Sequence, residues 1–364
     1  MTQRNENTLP SPRREGNIEL LRIVCMLLIL GHHLAWHGMT MQSPLPENRV
    51  ISTFLFSGGM TGVNCFVMIT GYFLASFKAK RFAATLLQTL FYSVGLTLVM
   101  KYTGLYPSIT GESIRDSALI ITRSPYWFVT MYLGLNAVLP LLQPAVKNLG
   151  KHAHLWVLIL SAAYLSVIPT FTFQNPSSPF FHQITWFFFL YALGAYFRKY
   201  PPRLMRWWPL HLLVFLGMIT LMTGLCLWGN DHQELFQRVG SRQNYFTEKN
   251  AVPQLICSVA LFLLFAGIRV KPFRVLTMLS GASFGVYLIH DHMFLRPLLW
   301  NQWFHVWLAC MKPDFWKIVL LAPPIIYLSC ALLDLVRKRL LEAPLMKRLN
   351  PVFEKIDGWI NQSL

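Results

Sequence analysis

The strongest constraint on this chain is a series of ten apolar runs, each close to or above the length that a helix needs to cross a bilayer. They lie at residues 18–38, 51–75, 82–103, 125–145, 154–173, 182–198, 207–228, 251–268, 275–296 and 315–336. Because the bilayer interior offers no water to backbone groups, such runs must fold as helices that satisfy their own hydrogen bonds. The sequence therefore predicts an all-α polytopic membrane protein with about ten transmembrane helices.

The composition supports this class but leaves one competing interpretation. Of the 364 residues, 54% are hydrophobic and only 13% are charged, whereas soluble domains carry about 25% charged residues. The formal net charge of +17 would also suit a protein that binds nucleic acid. The positions of the basic residues have to decide between the two interpretations.

Lysine and arginine alternate along the chain in the way that a membrane topology requires. With the N-terminus placed in the cytoplasm, the inside segments hold 21 basic residues and the outside segments hold 10. Short, basic cytoplasmic loops are what the positive-inside rule predicts, and an odd number of spans would destroy the alternation. We therefore expect both termini in the cytoplasm, contact between the basic loops and anionic lipid headgroups, and no nucleic-acid partner.

The chain is predicted to hold one large domain. Residues 18–340 form the transmembrane domain, with cytoplasmic tails at 1–17 and 341–364. The outside segment 229–250 mixes polar and aromatic residues, which suits either a lid that faces a sugar or a solvated connector. The six cysteines include no C-x-x-C pair, so we expect neither disulfides nor a thiolate metal site.

The first apolar run carries two ionisable residues on one face. Arg22 and His33 are eleven positions apart, which brings their side chains to within about 20° of each other and roughly 16 Å apart along a helix. Arg22 is expected near the cytoplasmic interface and His33 near mid-membrane, where an ionisable residue indicates a functional site. A neutral imidazole can take a proton from a hydroxyl, although a core histidine bonded to a neighbouring helix would look the same. His32 points about 100° away and is expected to pack.

A basic cluster follows the second run at the cytoplasmic face. Lys78, Lys80 and Arg81 could hold phosphate groups of a donor molecule. Ordinary positive-inside charge explains the same three residues. Within the second run, the pair Thr70 and Gly71 predicts a close approach between helices.

Aromatic and histidine residues near the outer face are candidates for an acceptor site. Tyr126 and Trp127 open the fourth run, and Tyr287 and His290 share a helix face in the ninth. An aromatic belt at the interface would also explain the first pair. His290 and His292 resemble a metal-binding pair, but no third ligand cluster lies near them in the sequence, so we expect no metal site.

Four stretches of this chain, in this order, resemble the acyltransferase-3 family of integral membrane acyltransferases over roughly residues 17–340. They are Arg22 followed after ten residues by His33, the stretch from Gly62 to Leu74, the triplet Tyr126-Trp127-Phe128, and the stretch from Tyr287 to His290. The family's F-x-x-S-G-(F/Y) signature corresponds to the second stretch, where Thr70 replaces the usual serine but keeps a hydroxyl. A register difference of one residue would select His32 instead of His33.

The resemblance implies a stand-alone O-acetyltransferase of surface polysaccharides in the bacterial inner membrane. Members of the family move an acyl group, often acetyl, from cytoplasmic acyl-coenzyme A to a hydroxyl on a cell-envelope glycan or lipid-linked sugar. His33 would be the general base, or would carry the acyl group in a covalent relay. Arg22 and the basic cluster would hold the donor. Acetyl-coenzyme A would be a co-substrate, with no permanently bound cofactor.

A transporter or flippase of lipid-linked sugars is the competing hypothesis, because ten helices with polar residues at mid-membrane fit that class as well. Two features count against it. No inverted repeat is visible, and the apolar runs hold few charges beyond Arg22 and Asp334. Asp334 is expected to pair with Arg337 or Lys338 near the cytoplasmic end. A non-catalytic scaffold would leave the arrangement of Arg22 and His33 unexplained.

Overall fold

The computed structural model describes residues 15–123, 126–172, 181–238 and 244–363. Nearly all of the predicted tail 1–17, with Arg4, Arg13 and Arg14, lies outside these ranges. Across the described ranges the secondary structure consists of helices and turns, without a strand. The predicted all-α class is therefore confirmed.

Ten long helices occupy the ten predicted runs. They are α1 Gly16–His37, α2 Pro46–Tyr72, α3 Ala79–Tyr102, α4 Trp127–Asn148, α5 Lys151–Thr172, α6 Phe181–Lys199, α7 Trp208–Asp231, α8 Val252–Gly267, α9 Arg274–His290 and α10 Phe315–Arg337. Within the described ranges, 8 helices are long and apolar enough to cross a membrane. These correspond to all of the ten except α6 and α9, with α8 extended back to Tyr245. The chain is thus a polytopic membrane protein.

The ninth helix is shorter than the sequence suggested. α9 has 17 residues and ends at His290, whereas the apolar run predicted an end at 296. The chain turns at Asp291, and its carboxylate contacts His37 and Arg296 instead of continuing along a lipid-facing helix. The turn therefore brings charged groups to the end of α9.

Helix α1 lies at the centre of the bundle, where it packs against α2, α9 and α10. A glycine allows the close crossing with α2, since a Cβ at Gly59 would overlap the imidazole of His32. A second crossing joins α2 to α6, where a Cβ at Gly71 would overlap the carbonyl oxygen of Tyr191. The close approach predicted from Thr70 and Gly71 is thus confirmed.

The predicted C-terminal tail 341–364 folds largely as helix. Its last helix, α11 Asn350–Ser363, packs against the start of α3. The side chain of Asp357 accepts a hydrogen bond of 2.8 Å from the backbone N–H of Ala79, one of the unpaired donors at the start of α3. The tail therefore closes the end of the bundle at which the basic cluster lies.

Candidate active site

A cavity of about 320 Å³, the inner cavity, runs along α1. Three cationic side chains, Arg22, Arg81 and Lys338, line it. Each lies near a helix end that the charge pattern assigns to the cytoplasm: the early part of α1, the first turn of α3 and the residue after α10. His33 lines the same cavity four residues before the end of α1, about 6 Å from that end. His33 is therefore closer to the outer end of the helix than to its middle.

A second cavity of about 290 Å³, the outer cavity, shares His33 in its lining with the inner cavity, and we call this shared wall the junction of the two. Both cavities are lined by His32, His33, Met60 and Trp127. The lining found only in the outer cavity consists of Trp36, His37, Phe56, Asn244, Thr247, Glu248, Asp291 and Arg296. A molecule in either cavity could therefore reach the same imidazole.

His33 is held by a chain of two hydrogen bonds. Its Nδ1 lies 2.8 Å from Nε2 of His290, and Nδ1 of His290 lies 2.6 Å from the backbone oxygen of Val286. A carbonyl oxygen only accepts, so His290 carries its proton on Nδ1 and a neutral His290 accepts at Nε2. His33 then donates from Nδ1, which leaves its Nε2 with a free lone pair. These contacts select the tautomer that a general base requires.

The carboxylate of Asp291 lies beside this pair of histidines. Its Oδ1 is 3.8 Å from Nδ1 of His33, 3.3 Å from Nε2 of His37 and 3.4 Å from a guanidinium nitrogen of Arg296. At such distances a carboxylate stabilises an imidazolium by Coulomb attraction. The site can therefore hold a proton on His33 once the base has taken one up.

The same groups form a possible metal-ligand set. One ligand atom each from His33, His37 and Asp291 falls within 4.8 Å of the others. A metal bound at Nδ1 of His33 would have to displace the hydrogen bond to His290. The sequence predicted no metal site at His290 and His292, and this set contains neither residue; Nε2 of His292 lies 3.1 Å from the backbone oxygen of Ser93.

Arg22 lines the inner cavity and also has one unsatisfied buried donor. Its Nε is buried and has no hydrogen-bond partner within the described ranges. Glu19, three residues earlier, receives a hydrogen bond from Ser280. A buried N–H without an acceptor costs about 1–3 kcal/mol. The positive charge of Arg22 in the cavity wall suits an anionic ligand.

A family model described as an acyltransferase domain matches residues 15–334 of this sequence. The matched range includes α1 to α9, nearly all of α10 and every residue of the two histidine-lined cavities except Lys338. The chain belongs to the acyltransferase-3 family. No curated protein and no solved structure matches it. This family membership makes the protein a membrane acyltransferase, which needs an acyl donor and an acceptor.

The predicted donor residues of this acyltransferase are only partly brought together. Arg22 and Arg81 line the inner cavity, but Lys78 and Lys80 are not part of its lining. Lys80 instead donates a hydrogen bond of 2.9 Å to Asn350 of α11. Lys338 lines the cavity and was missed, because in the sequence it is one of several basic residues in a cytoplasmic segment.

The four predicted acceptor residues of the acyltransferase are likewise not brought together in one cavity. Trp127 lines both cavities, whereas Tyr287 lines the inner cavity alone. Tyr126 is buried, with its hydroxyl donating to the backbone oxygen of Leu288 at 2.8 Å. His290 is fully buried behind His33. In the sequence, the polar and aromatic segment 229–250 was the feature that pointed to the outer cavity. It supplies three of the polar residues that line this cavity, Asn244, Thr247 and Glu248.

His32 and Asp334 have identifiable packing contacts. Nδ1 of His32 lies 2.7 Å from the backbone oxygen of Phe56, and the two rings stack. This contact ties α1 to α2, as expected for a packing role. Asp334 was predicted to pair with Arg337 or Lys338. Its Oδ1 lies 2.9 Å from Nε of Arg337. It also accepts from Gln88, a residue of the inner cavity wall.

Proposed function

We propose that this protein transfers an acetyl group from cytoplasmic acetyl-coenzyme A to a hydroxyl of a cell-envelope glycan or lipid-linked sugar, in a bacterial inner membrane. The observation that carries the proposal is the position of His33 at the junction of two cavities. One cavity is lined by three cations, and the other is polar and aromatic. A transferase with substrates on opposite sides of a membrane needs this arrangement.

The donor occupies the inner cavity in this proposal. Phosphate groups of coenzyme A bind near Arg22, Arg81 and Lys338, because guanidinium and ammonium groups are the usual partners of phosphate in proteins. The pantetheine arm extends along α1, over the roughly 16 Å that separate the positions of Arg22 and His33. The thioester then reaches the junction while the charged part of the donor stays at the cytoplasmic end.

The acceptor hydroxyl approaches His33 from the outer cavity. Nε2 of His33 takes the hydroxyl proton as the oxygen attacks the thioester carbonyl. The new C–O bond forms, the C–S bond breaks, and the leaving thiolate takes the proton from the imidazolium. Asp291 stabilises that imidazolium, and His290 keeps the ring in the required tautomer. The products are an ester and free coenzyme A.

A covalent relay through His33 is the variant of this mechanism. Nε2 itself then attacks the thioester carbonyl, and the C–S bond breaks to release the thiolate of coenzyme A. In a second step the acceptor hydroxyl attacks the acyl-imidazolium, the ester forms, the imidazole is restored, and the hydroxyl proton passes to the thiolate or to water. Mass spectrometry of the intact protein after mixing with acetyl-coenzyme A, without acceptor, separates the two routes. An acetylated His33 supports the relay, whereas an unmodified protein supports direct transfer.

The test of the proposed function is His33→Ala, with His152→Ala as the matched control. His152 is exposed on α5 and lines neither cavity. We expect His33→Ala to lower glycan acetylation by about 100-fold or more, the usual range for loss of a general base. Mass spectrometry of surface glycans measures the acetyl groups, and immunoblotting of membranes measures insertion.

Two outcomes contradict the proposed function. Acetylation retained in His33→Ala would remove His33 from the reaction. Membranes that release no coenzyme A from labelled acetyl-coenzyme A, yet move lipid-linked sugar, would favour the transporter hypothesis.

A further inference from the structure

One carboxylate in the outer cavity has no hydrogen-bond or ion-pair partner among the described residues. Asp291 is shared by His33, His37 and Arg296. Glu248 lines the same cavity, and within the described ranges its side chain makes no hydrogen bond or ion pair. The ammonium of the neighbouring Lys249 lies over the ring of Trp127, 5.4 Å from its centroid, and attracts Glu248 at longer range without forming an ion pair with it.

The net charge of the outer cavity follows from this inventory. Its lining includes two carboxylates, Glu248 and Asp291, against one guanidinium, Arg296. With neutral imidazoles, the side chains that line the cavity therefore carry about one net negative charge, which Lys249 offsets in part from longer range. An anionic ligand would meet an excess of negative charge in the lining of a partly buried site, which disfavours its binding.

The size and lining of the cavity define a class of ligand. Its volume of about 290 Å³ is at the lower limit of small-molecule pockets, which suits one sugar ring better than an oligosaccharide. Trp36, which is half exposed, offers an apolar face to the C–H face of such a ring, whereas the ring of Phe56 beside it is stacked on His32. Asn244 and Glu248 offer polar groups to its hydroxyls.

We propose that Glu248 is a specificity residue, which accepts hydrogen bonds from hydroxyls of one uncharged sugar ring in the outer cavity and disfavours acidic sugars. This inference rests on the proposed function, because it takes the outer cavity to be the acceptor site. An ionised carboxylate offers two acceptor oxygens, so it can bind two neighbouring hydroxyls of a ring. The outer wall of the site is then contributed by the segment between α7 and α8.

The experiment measures sugar binding separately from acyl transfer. Methyl glycosides of neutral hexoses and of the matching hexuronic acids are titrated against the protein in lipid nanodiscs, and affinities are read by saturation-transfer NMR. The variant is Glu248→Gln, which keeps the size of the side chain and removes its charge. Glu234→Gln is the matched control, because Glu234 is an exposed acid of the same outer segment that lines neither cavity.

We expect the wild-type protein to prefer the neutral glycosides, and Glu248→Gln to weaken their binding about tenfold, since hydrogen bonds to charged groups are the stronger ones. Glu248→Gln should also reduce the difference in affinity between neutral hexosides and hexuronides. Glu234→Gln should leave both affinities unchanged. Equal binding by Glu248→Gln and wild type would overturn the proposal. So would wild-type protein that binds hexuronates as well as hexoses, or that binds no hexose.

Failure of the proposed function gives a different result. Hexose binding that depends on Glu248, in a protein that transfers no acetyl group, would refute the transferase reaction and leave the sugar site in place. His33→Ala should retain hexose binding and lose transfer.

Discussion

Replacing Asp291 by asparagine tests whether the carboxylate beside His33 stabilises the imidazolium that forms during transfer. The substitution keeps the size and shape of the side chain and one acceptor oxygen, and it removes one negative charge. Two unit charges at the observed 3.8 Å attract by about 4 kcal/mol at an effective dielectric constant near 20. Arg296, at 3.4 Å from the same carboxylate oxygen, opposes part of this attraction.

The remaining stabilisation sets the expected effect. After the opposing effect of Arg296, between a third and all of the Coulomb attraction remains, about 1.4–4 kcal/mol. Its loss corresponds to a kcat for acetyl transfer that is lower by about 10-fold to 1,000-fold. The KM for acetyl-coenzyme A should stay unchanged, because Asp291 lines the outer cavity and not the inner one. An effect on kcat without an effect on donor KM is what loss of transition-state stabilisation predicts.

The assay follows transfer of radiolabelled acetyl groups from acetyl-coenzyme A to the glycan in membrane vesicles that carry the native acceptor. Asp314→Asn is the control, because Asp314 is an exposed acid paired with Lys317 and lines neither cavity. A kcat for Asp291→Asn within twofold of the wild type would refute the electrostatic argument. A raised donor KM would instead indicate that Asp291 also contributes to donor binding.

Two further predictions concern the donor site and the helix crossings. Arg81→Gln and Lys338→Gln should each raise the KM for acetyl-coenzyme A by about 3-fold to 10-fold, because each variant loses a partly exposed charged contact. Lys80→Gln is the control and should change this KM less than twofold. If steady-state kinetics gave equal KM values for all three variants, the assignment of only Arg81 and Lys338 to the donor site would be wrong. Gly71→Ala should destabilise the protein by about 1–3 kcal/mol through overpacking, which a lower melting temperature in detergent would show. Gly217→Ala is the control, because a Cβ at Gly217 meets open space. Equal melting temperatures for the two variants would contradict the close crossing at Gly71.

The match between sequence and structure was best where a property is local to one helix. The apolar runs gave ten helices at the predicted places, and the small pair at Thr70 and Gly71 marked a true crossing. Boundaries were less accurate, as at α9, where Asp291 ends the helix by joining a charged cluster. Periodicity along one helix contains no information on such a partner.

The sequence by itself determined the membrane class, the helical fold and the presence of Arg22 and His33 on one helix face, because hydropathy and the helical repeat are properties of consecutive residues. The tertiary structure alone decided which groups surround His33. His290, Asp291 and Glu248 come from segments more than 200 residues away, and only helix packing brings them to its imidazole and to the cavity beside it. The tautomer of His33, the place of Lys338 and the charge of the outer cavity all follow from those packing contacts.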